Sequence, residues 1–311
     1  MIYTCTLNPA IDLFVALDKL EQQKVNRTYD EEYQANGKGI NVSIVLKKLG
    51  VNSTALGLIA GFTGEFIKDE LKKMGIQTDF IEIDGITRVN IFINTVDGEY
   101  KIVNRGPNVS KRIVNEMKIK IMALPENSTL FVSGSLPRGI DDFIYVDIAK
   151  IAKEKNIDLI LDISSKRLLD CLPYEPYLIK PNEEELANFF DMDKRLNEEE
   201  VIELGYELFR KGAKRVLVSL GAKGAIYIDQ DHLLKVNSAK GKVVNTACAG
   251  DAMLAMFFQK VHSGFPVEEA LAYASAAGAS TAFAKVLSDL TDVEDLKSQI
   301  KVTNLKGRRM V

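Results

Sequence analysis

The feature that most constrains this chain is a repeated alternation of a short apolar run, a glycine-bearing turn and a stretch of helically spaced apolar residues. Asn52–Ala60 leads through Gly61-Phe62-Thr63-Gly64 to Phe66, Ile67, Leu71 and Met74, and the runs 129–132, 157–161, 177–179 and 215–219 open further units. Such alternation predicts an α/β sheet with helices on both faces and ligand loops at the carboxyl ends of its strands. Helices are expected over 111–124, 142–155, 196–212 and 267–283, the last rich in alanines that permit close helix–sheet packing. No repeat or linker interrupts the series, so residues 1–311 read as one domain.

One segment breaks the rhythm. From Thr87 to Asn104 the pattern has period two, with Val89, Ile91 and Ile93 on one face and Arg88, Asn90, Phe92 and Asn94 on the other. Asp97-Gly98 supplies the hairpin turn. This predicts a small projecting β-sheet lid, made from regions near 12–34 and 86–106, whose Arg88 and Asn90 share a face. A second hairpin, 225–229 with 233–236, is expected at a sheet edge, and the final KVTNLKGRRMV reads as a frayed tail.

The turn before the predicted helix near Gly250 carries the sharpest chemistry. A short strand over Lys242–Asn245 is expected to end in Thr246-Ala247-Cys248-Ala249-Gly250, whose small side chains leave the helix's first N–H groups open to an anion. Asp251 is then either a general base for phosphoryl transfer or a plain helix cap. Asp12, beyond the strand Ile2–Leu7, is a ligand contact or a turn cap. Gly37-Lys38-Gly39 brings a ligand close to the backbone beside a positive charge, or is a solvent-facing turn. Asn182 and Glu185, three apart after Lys180-Pro181, face one cleft or cap a surface helix; a carboxylate there can act on magnesium through water. The loops Ser133–Gly139 and Ser219–Gly224 close two other strands, and the glycines of the second let a nucleotide lie across the backbone.

Composition removes other classes of function. With 40 basic and 43 acidic side chains the net charge is −3, which provides no field for nucleic acid or an anionic membrane. Cys5, Cys171, Cys248 and two isolated histidines form neither a metal-ligand pattern nor a disulfide framework, and fit a reducing cytoplasm. The opening MIYTCTLNPAID has no basic leader and no apolar block of membrane-spanning length, so neither secretion signal nor anchor is expected.

Taken in order, TLNPAID (6–12), NGKGIN (36–41), TRVNI (87–91), SGSLPRG (133–139), KPNEEEL (180–186), SLGAKG (219–224) and NTACAGDA (245–252) span nearly the whole chain. The set resembles the ribokinase-like, or PfkB, carbohydrate kinase family, in the branch that contains 1-phosphofructokinase and tagatose-6-phosphate kinase. The resemblance implies a three-layer αβα sandwich with a small β lid, and a sugar-phosphate kinase using ATP and Mg2+. It implies substrate-binding places for Asp12, Gly37, Lys38, Asn41 and Ser135, with Arg88 and Asn90 meeting the phosphosugar from the lid. Lys180, Asn182, Ser219, Gly221 and Gly224 fall in the nucleotide region, and Glu185 in the magnesium region, acting through water. Asp251 matches the catalytic base, with the backbone of Ala249 and Gly250 in the anion hole. Cys248 and Asn36 depart from the family pattern, each replacing a glycine, and Asp162-Ile163-Ser164-Ser165 lacks the glycine that usually ends that run. The implied reaction converts fructose 1-phosphate to fructose 1,6-bisphosphate; tagatose-6-phosphate kinase and a catalytically weak sensor of sugar phosphate or nucleotide are the alternatives. A homodimer joined through the lid is the implied assembly.

Overall fold

The structure is a computed structural model that describes residues 1–306. The chain opens with β1 (Ile2–Thr6), β2 (Ala10–Ala16) and β3 (Asp30–Asn36), then enters α1 (Lys38–Lys48). β4 (Thr54–Ala60), α2 (Gly61–Lys73) and β5 (Gln77–Ile83) lead to the hairpin of β6 (Arg88–Thr95) and β7 (Gly98–Ile102). Alternation resumes with α3 (Lys111–Met122), β8 (Thr129–Ser133), α4 (Ile144–Glu154), β9 (Asp158–Asp162), the short α5 (Leu168–Cys171) and β10 (Leu178–Ile179). α6 (Glu183–Phe189), α7 (Glu198–Arg210), β11 (Val216–Ser219), β12 (Ala225–Ile228) and β13 (Leu233–Val236) follow. α8 (Ala249–His262), α9 (Val267–Phe283), α10 (Val293–Lys297) and β14 (Val302–Asn304) complete the described chain.

Ten strands form one sheet in the order β14-β13-β12-β11-β10-β9-β8-β1-β4-β5. Pairing is parallel from β11 to β5 and antiparallel from β11 outward to β14. The pleat sorts the core. Leu130, Val132, Leu159 and Leu161 pack on one face with Met117, Ile148, Leu186 and Leu208 of α3, α4, α6 and α7. Phe131 and Ile160, one residue out of step, pack on the other face with Ile44, Phe257 and Leu271 of α1, α8 and α9. Each fully buried side chain of this kind contributes about 1.5–3 kcal/mol, so two apolar faces per strand require the two helical layers of an αβα sandwich.

The smaller sheet has the order β3-β2-β6-β7, with β2 and β6 parallel and the outer pairs antiparallel. β2 emerges just beyond the carboxyl end of β1, and β6 just beyond that of β5, so this sheet stands at the ligand-binding end of the larger one. Asp12, Phe14, Asn90 and Phe92 on its inner face are buried, and the two phenylalanine rings stack at 4.9 Å. Its other face is an apolar field. Leu13, Val15, Ile91 and Ile93 are half-buried, while Tyr33, Tyr100 and Ile102, set opposite them by register, are exposed.

Three expectations change. Lys242–Asn245 is not a strand: Val243 and Val244 are 56% and 52% exposed, and the segment is held instead by Val244 and Asn245 N–H groups donating to the Ala282 carbonyl. β5 is an additional strand whose polar Gln77, Asp79 and Glu82 hide its period. The end of the chain is not wholly a frayed tail, because Val302–Asn304 pairs with β13 and puts the expected edge hairpin one strand inside the edge. The rest of that tail, 307–311, lies outside the described residues. Among the described residues no helix is long and apolar enough to cross a membrane.

Candidate active site

α6 and α7 begin with complete capping boxes, from Asn182 with Glu185 and from Asn197 with Glu200. α8 does not: its N-cap is Cys248, whose side chain makes no cap hydrogen bond. The first N–H groups of α8 therefore have no side-chain acceptor, and the helix dipole favours an anion there. A Cβ added at Gly250 would lie 3.2 Å from the Lys180 ammonium, so that cation borders the same turn.

Asp251, one residue further on, is 5% exposed and accepts from Asn41 Nδ2 at 2.8 Å. Burial, and next the negative Asp162, push its carboxyl up to about 6, against the pull of Lys38, Asn41 and Lys180. A carboxyl so placed is ionised at neutral pH yet basic enough to take a hydroxyl proton.

Asp162, fully buried at the end of β9, organises the cations. It pairs with Lys38 at 2.8 Å through one oxygen and with Lys180 at 3.0 Å through the other. Burial alone would raise its carboxyl, but the two lysines outweigh that and hold it below the ordinary carboxylate range. Burial likewise opposes the charge on Lys38, and Asp162, Glu185 and Asp251 together raise its pKa nonetheless. Lys38 thus lies 3.8 Å from Glu185 as well as against Asp162.

A chain of amides joins two buried carboxylates. Asn90 donates to Asp12 at 2.8 Å, and Asn36 donates to the other oxygen of Asp12. Asn41 Nδ2 lies 2.8 Å from Asn36 Oδ1 as well as from Asp251. Burial pushes the Asp12 carboxyl up to about 6 despite Asn90, Arg88 and Asn36. The buried Oδ1 atoms of Asn41 and Asn8 have no partner among the described residues, which leaves two acceptors for a hydroxylated molecule. Gly37 permits this crowding: its φ is +142°, and a Cβ there would meet Thr6 at 2.6 Å.

Arg88 reaches over the pocket, donating to the carbonyls of Asn8 at 2.9 Å and Asn104 at 3.1 Å. Arg138 donates to the Gly106 carbonyl at 3.1 Å, and Arg105 lies on the same segment. None of the three has a carboxylate within 4.0 Å among the described residues, which leaves a cationic rim. Ser135, exposed at the loop after β8, lies 3.5 Å from Asn8 Nδ2.

On the opposite side, Asn182 and Ser219 bridge β10 and β11 and line a cavity of about 810 Å3 together with Gly221. Gly224, in the turn closing that loop, donates to the Gly221 carbonyl and accepts from Leu220. Glu185 Oε2 accepts from the Asn182 N–H as a capping box, so the capping arrangement is present. Its Oε1 accepts from Ser164 at 2.8 Å and faces Lys38. One carboxylate oxygen and one hydroxyl cannot encage an ion, but they fit a magnesium held chiefly by nucleotide phosphates and water. No cluster of three or more His, Cys, Asp or Glu forms a metal site among the described residues.

The structure therefore brings Asp12, Gly37, Asn41 and Asn90 together on one side of Asp251, and Lys180, Lys38 and Glu185 on the other. Asp162, Asn36, Asn8 and Ser164 join them without having been singled out as binding residues. Register could have found Asp162: Leu161 pairs with Ile179, which sets the next residues, Asp162 and Lys180, side by side.

Comparison with known proteins gives the family. Residues 5–289 match the pattern of the pfkB family carbohydrate kinases. The chain is 56% identical to the D-tagatose-1-phosphate kinase of Bacillus licheniformis, over 98% of this chain and 100% of that protein. It is 37% identical to the 1-phosphofructokinase of Bacillus subtilis, again over 98% and 100%. Phosphofructokinase-2 from Escherichia coli, solved in complex with fructose-6-phosphate, superposes with a TM-score of 0.87 at 26% identity, covering 96% of this chain and 98% of that one. With an uncapped anion-binding helix start, a buried carboxylate beside it and a cationic rim, the chain belongs to the pfkB family of carbohydrate kinases and is an ATP-dependent sugar-phosphate kinase.

Proposed function

We propose that the enzyme phosphorylates a ketohexose 1-phosphate at its terminal hydroxyl, with D-tagatose 1-phosphate ahead of D-fructose 1-phosphate. The observation that carries the choice of sugar is the 56% identity, across the full length, to a D-tagatose-1-phosphate kinase, against 37% to a 1-phosphofructokinase. The rim of Arg88, Arg105 and Arg138 supports a phosphorylated acceptor, because guanidinium groups without carboxylate partners suit phosphate oxygens.

In this reading the sugar hydroxyls bond Asp12, Asn90 and the free carbonyl of Asn41, and the sugar phosphate meets the arginines and Ser135. The terminal hydroxyl oxygen attacks the γ-phosphorus of ATP, and its bond to the β–γ bridging oxygen breaks to release ADP. The hydroxyl proton passes to Asp251, while the N–H groups of Ala249 and Gly250 stabilise charge on the transferring oxygens. Lys180, Asn182, Ser219, Gly221 and Gly224 hold the nucleotide, and Lys38, fixed by Asp162, faces its phosphates. Magnesium, when bound near Glu185 through water, neutralises phosphate charge. Closure of the smaller sheet as a lid excludes water, and its outer apolar face pairs with a second copy of the chain.

Initial rates with ATP on D-tagatose 1-phosphate, D-fructose 1-phosphate, D-tagatose 6-phosphate and D-fructose 6-phosphate test the proposal. The expected order places both ketose 1-phosphates above both 6-phosphates, with tagatose first; a preference for either 6-phosphate overturns it.

A further inference from the structure

Cys248 sits in the left-handed backbone region at φ 63°, immediately before the turn that carries Asp251. A side chain in that region is strained, and such strain persists where surrounding contacts hold it and is often tied to function. The contacts are specific. Cys248 Sγ lies 3.2 Å from Asn41 Nδ2 and 3.7 Å from Asn36 Nδ2. Burial, then Asp251 and Asp12, raise its thiol pKa, so the sulfur is a neutral shape-filling group and weak acceptor rather than a nucleophile.

Asn36 holds the other end. Its amide donates to Asp12, and its carbonyl accepts from the Gly37 N–H and from Asn41. The Asn41 amide has two hydrogens but three acceptors in reach: Asn36 Oδ1, Asp251 Oδ2 and Cys248 Sγ. Its orientation, and that of the unpartnered Asn41 carbonyl, therefore depends on both Asn36 and Cys248.

We propose that Asn36 and Cys248 form a specificity-determining clamp: positioning residues that lock Asp12, Asn41 and Asp251 into one frame, and so set which ring configuration of a ketose phosphate is accepted. The inference rests on the sugar-phosphate kinase reading, and it concerns ring configuration rather than the place of the phosphate. D-Fructose and D-tagatose differ only at one ring carbon, so one epimer presents a hydroxyl where the other does not. Acceptors held rigidly at that point discriminate between them, because a mismatched epimer leaves buried polar groups unpaired.

The test compares wild type with Asn36→Gly, Cys248→Gly and the double variant, with melting curves to verify folding. Glycine suits the backbone at 248, and Cys248→Ala serves if Cys248→Gly fails to fold. The readout is the ratio of kcat/KM for the tagatose and fructose epimers. Each single variant is expected to move the ratio toward unity at least about fivefold, with the KM for ATP changed less than about twofold. The double variant moves it no further than the larger single effect, because the two residues act as one unit. Cys248→Ser should regain part of the discrimination by restoring a small acceptor. A ratio unchanged within twofold in all variants, or an equal change in the KM for ATP, overturns the clamp. If wild type prefers ketose 6-phosphates, the substrate proposal falls alone, and the clamp is judged by the same epimer ratio measured on fructose 6-phosphate and tagatose 6-phosphate.

Discussion

Asp251 is kept at a cost in stability. The fold disfavours its ionised form, so what Asp251 contributes to stability is greatest below pH 3.8 and is lost as the pH rises through about 6. Asp251→Asn should therefore melt at a higher temperature than wild type at pH 7.5, a gain of up to about 2–3 kcal/mol, while turnover falls at least about a hundredfold. Calorimetry and steady-state assays on one preparation check both halves; near-normal turnover in the folded variant refutes the assigned role. The same carboxyl predicts that kcat/KM of wild type climbs with pH to a plateau above about 6, and a profile flat from pH 5 to pH 7, on the order of one unit either side of that midpoint, contradicts it. Arg88→Ala should raise the KM for the ketose phosphate by tenfold or more, on the order of one charge-assisted contact, and leave the KM for ATP nearly unchanged. Equal effects on both substrates place Arg88 outside the acceptor pocket. At this scale the motifs pointed to Asn41, Lys180 and Asp251 because each lies at a strand end or helix start where backbone geometry already favours a ligand, and to Asp12 and Asn90, which pair side by side inside β2 and β6. Asp162 escaped notice as a ligand-side residue because its role depends on a neighbouring strand, which no local pattern encodes.

Among the elements, α6 has the clearest double duty. Glu185 closes its capping box with one oxygen and turns the other toward Ser164 and Lys38. Glu185→Gln keeps an acceptor for the Asn182 N–H but removes the charge; Glu185→Ala removes both. The Gln variant should melt within a degree or two of wild type yet require several-fold more Mg2+ for half-maximal rate, whereas the Ala variant also loses about 1 kcal/mol of stability. A Mg2+ titration of Glu185→Gln that overlays wild type would leave Glu185 with the cap alone. The longer helices were legible in the sequence to within a few residues, since each has an apolar stripe and a glycine or capping signal, whereas α5 and α10, four and five residues long, are too short to display one. Strands were harder. β5 sets Phe80 and Ile81 side by side between Asp79 and Glu82 at the sheet edge, which breaks a period of two, and β14 is three residues long, too short to display a period. Lys242–Asn245 misleads in the opposite direction, because its two valines are an exposed pair rather than part of a sheet.

For the whole molecule, the apolar face of the smaller sheet is the largest open question that register answers. Ile91 lies opposite both Leu13 and Ile102, and Ile93 opposite both Val15 and Tyr100, so the residues form continuous rows. Val89 is tied to the main core, which leaves Ile91 and Ile93 as the better probes of pairing. Light scattering across a concentration series should give a dimer at micromolar concentration, and Ile91→Asp/Ile93→Asp should give a monomer. A dimer that survives both charges locates its interface elsewhere. The far edge of the larger sheet bears on how the protein is handled. β14 covers the open side of β13, with Val302 against Val236 and Asn304 against Leu234. Ending an expressed chain at Ile300, where the hydropathy pattern fades, would uncover a strand bearing Leu233, Leu234 and Val236, whose free backbone groups can template pairing between molecules. Such a shortened chain should lose soluble yield and scatter light on standing, whereas one ending at Lys306, which keeps β14, should do neither. The seam that keeps this enzyme from self-adhesion is thus sewn by a strand of three residues, Val302–Asn304.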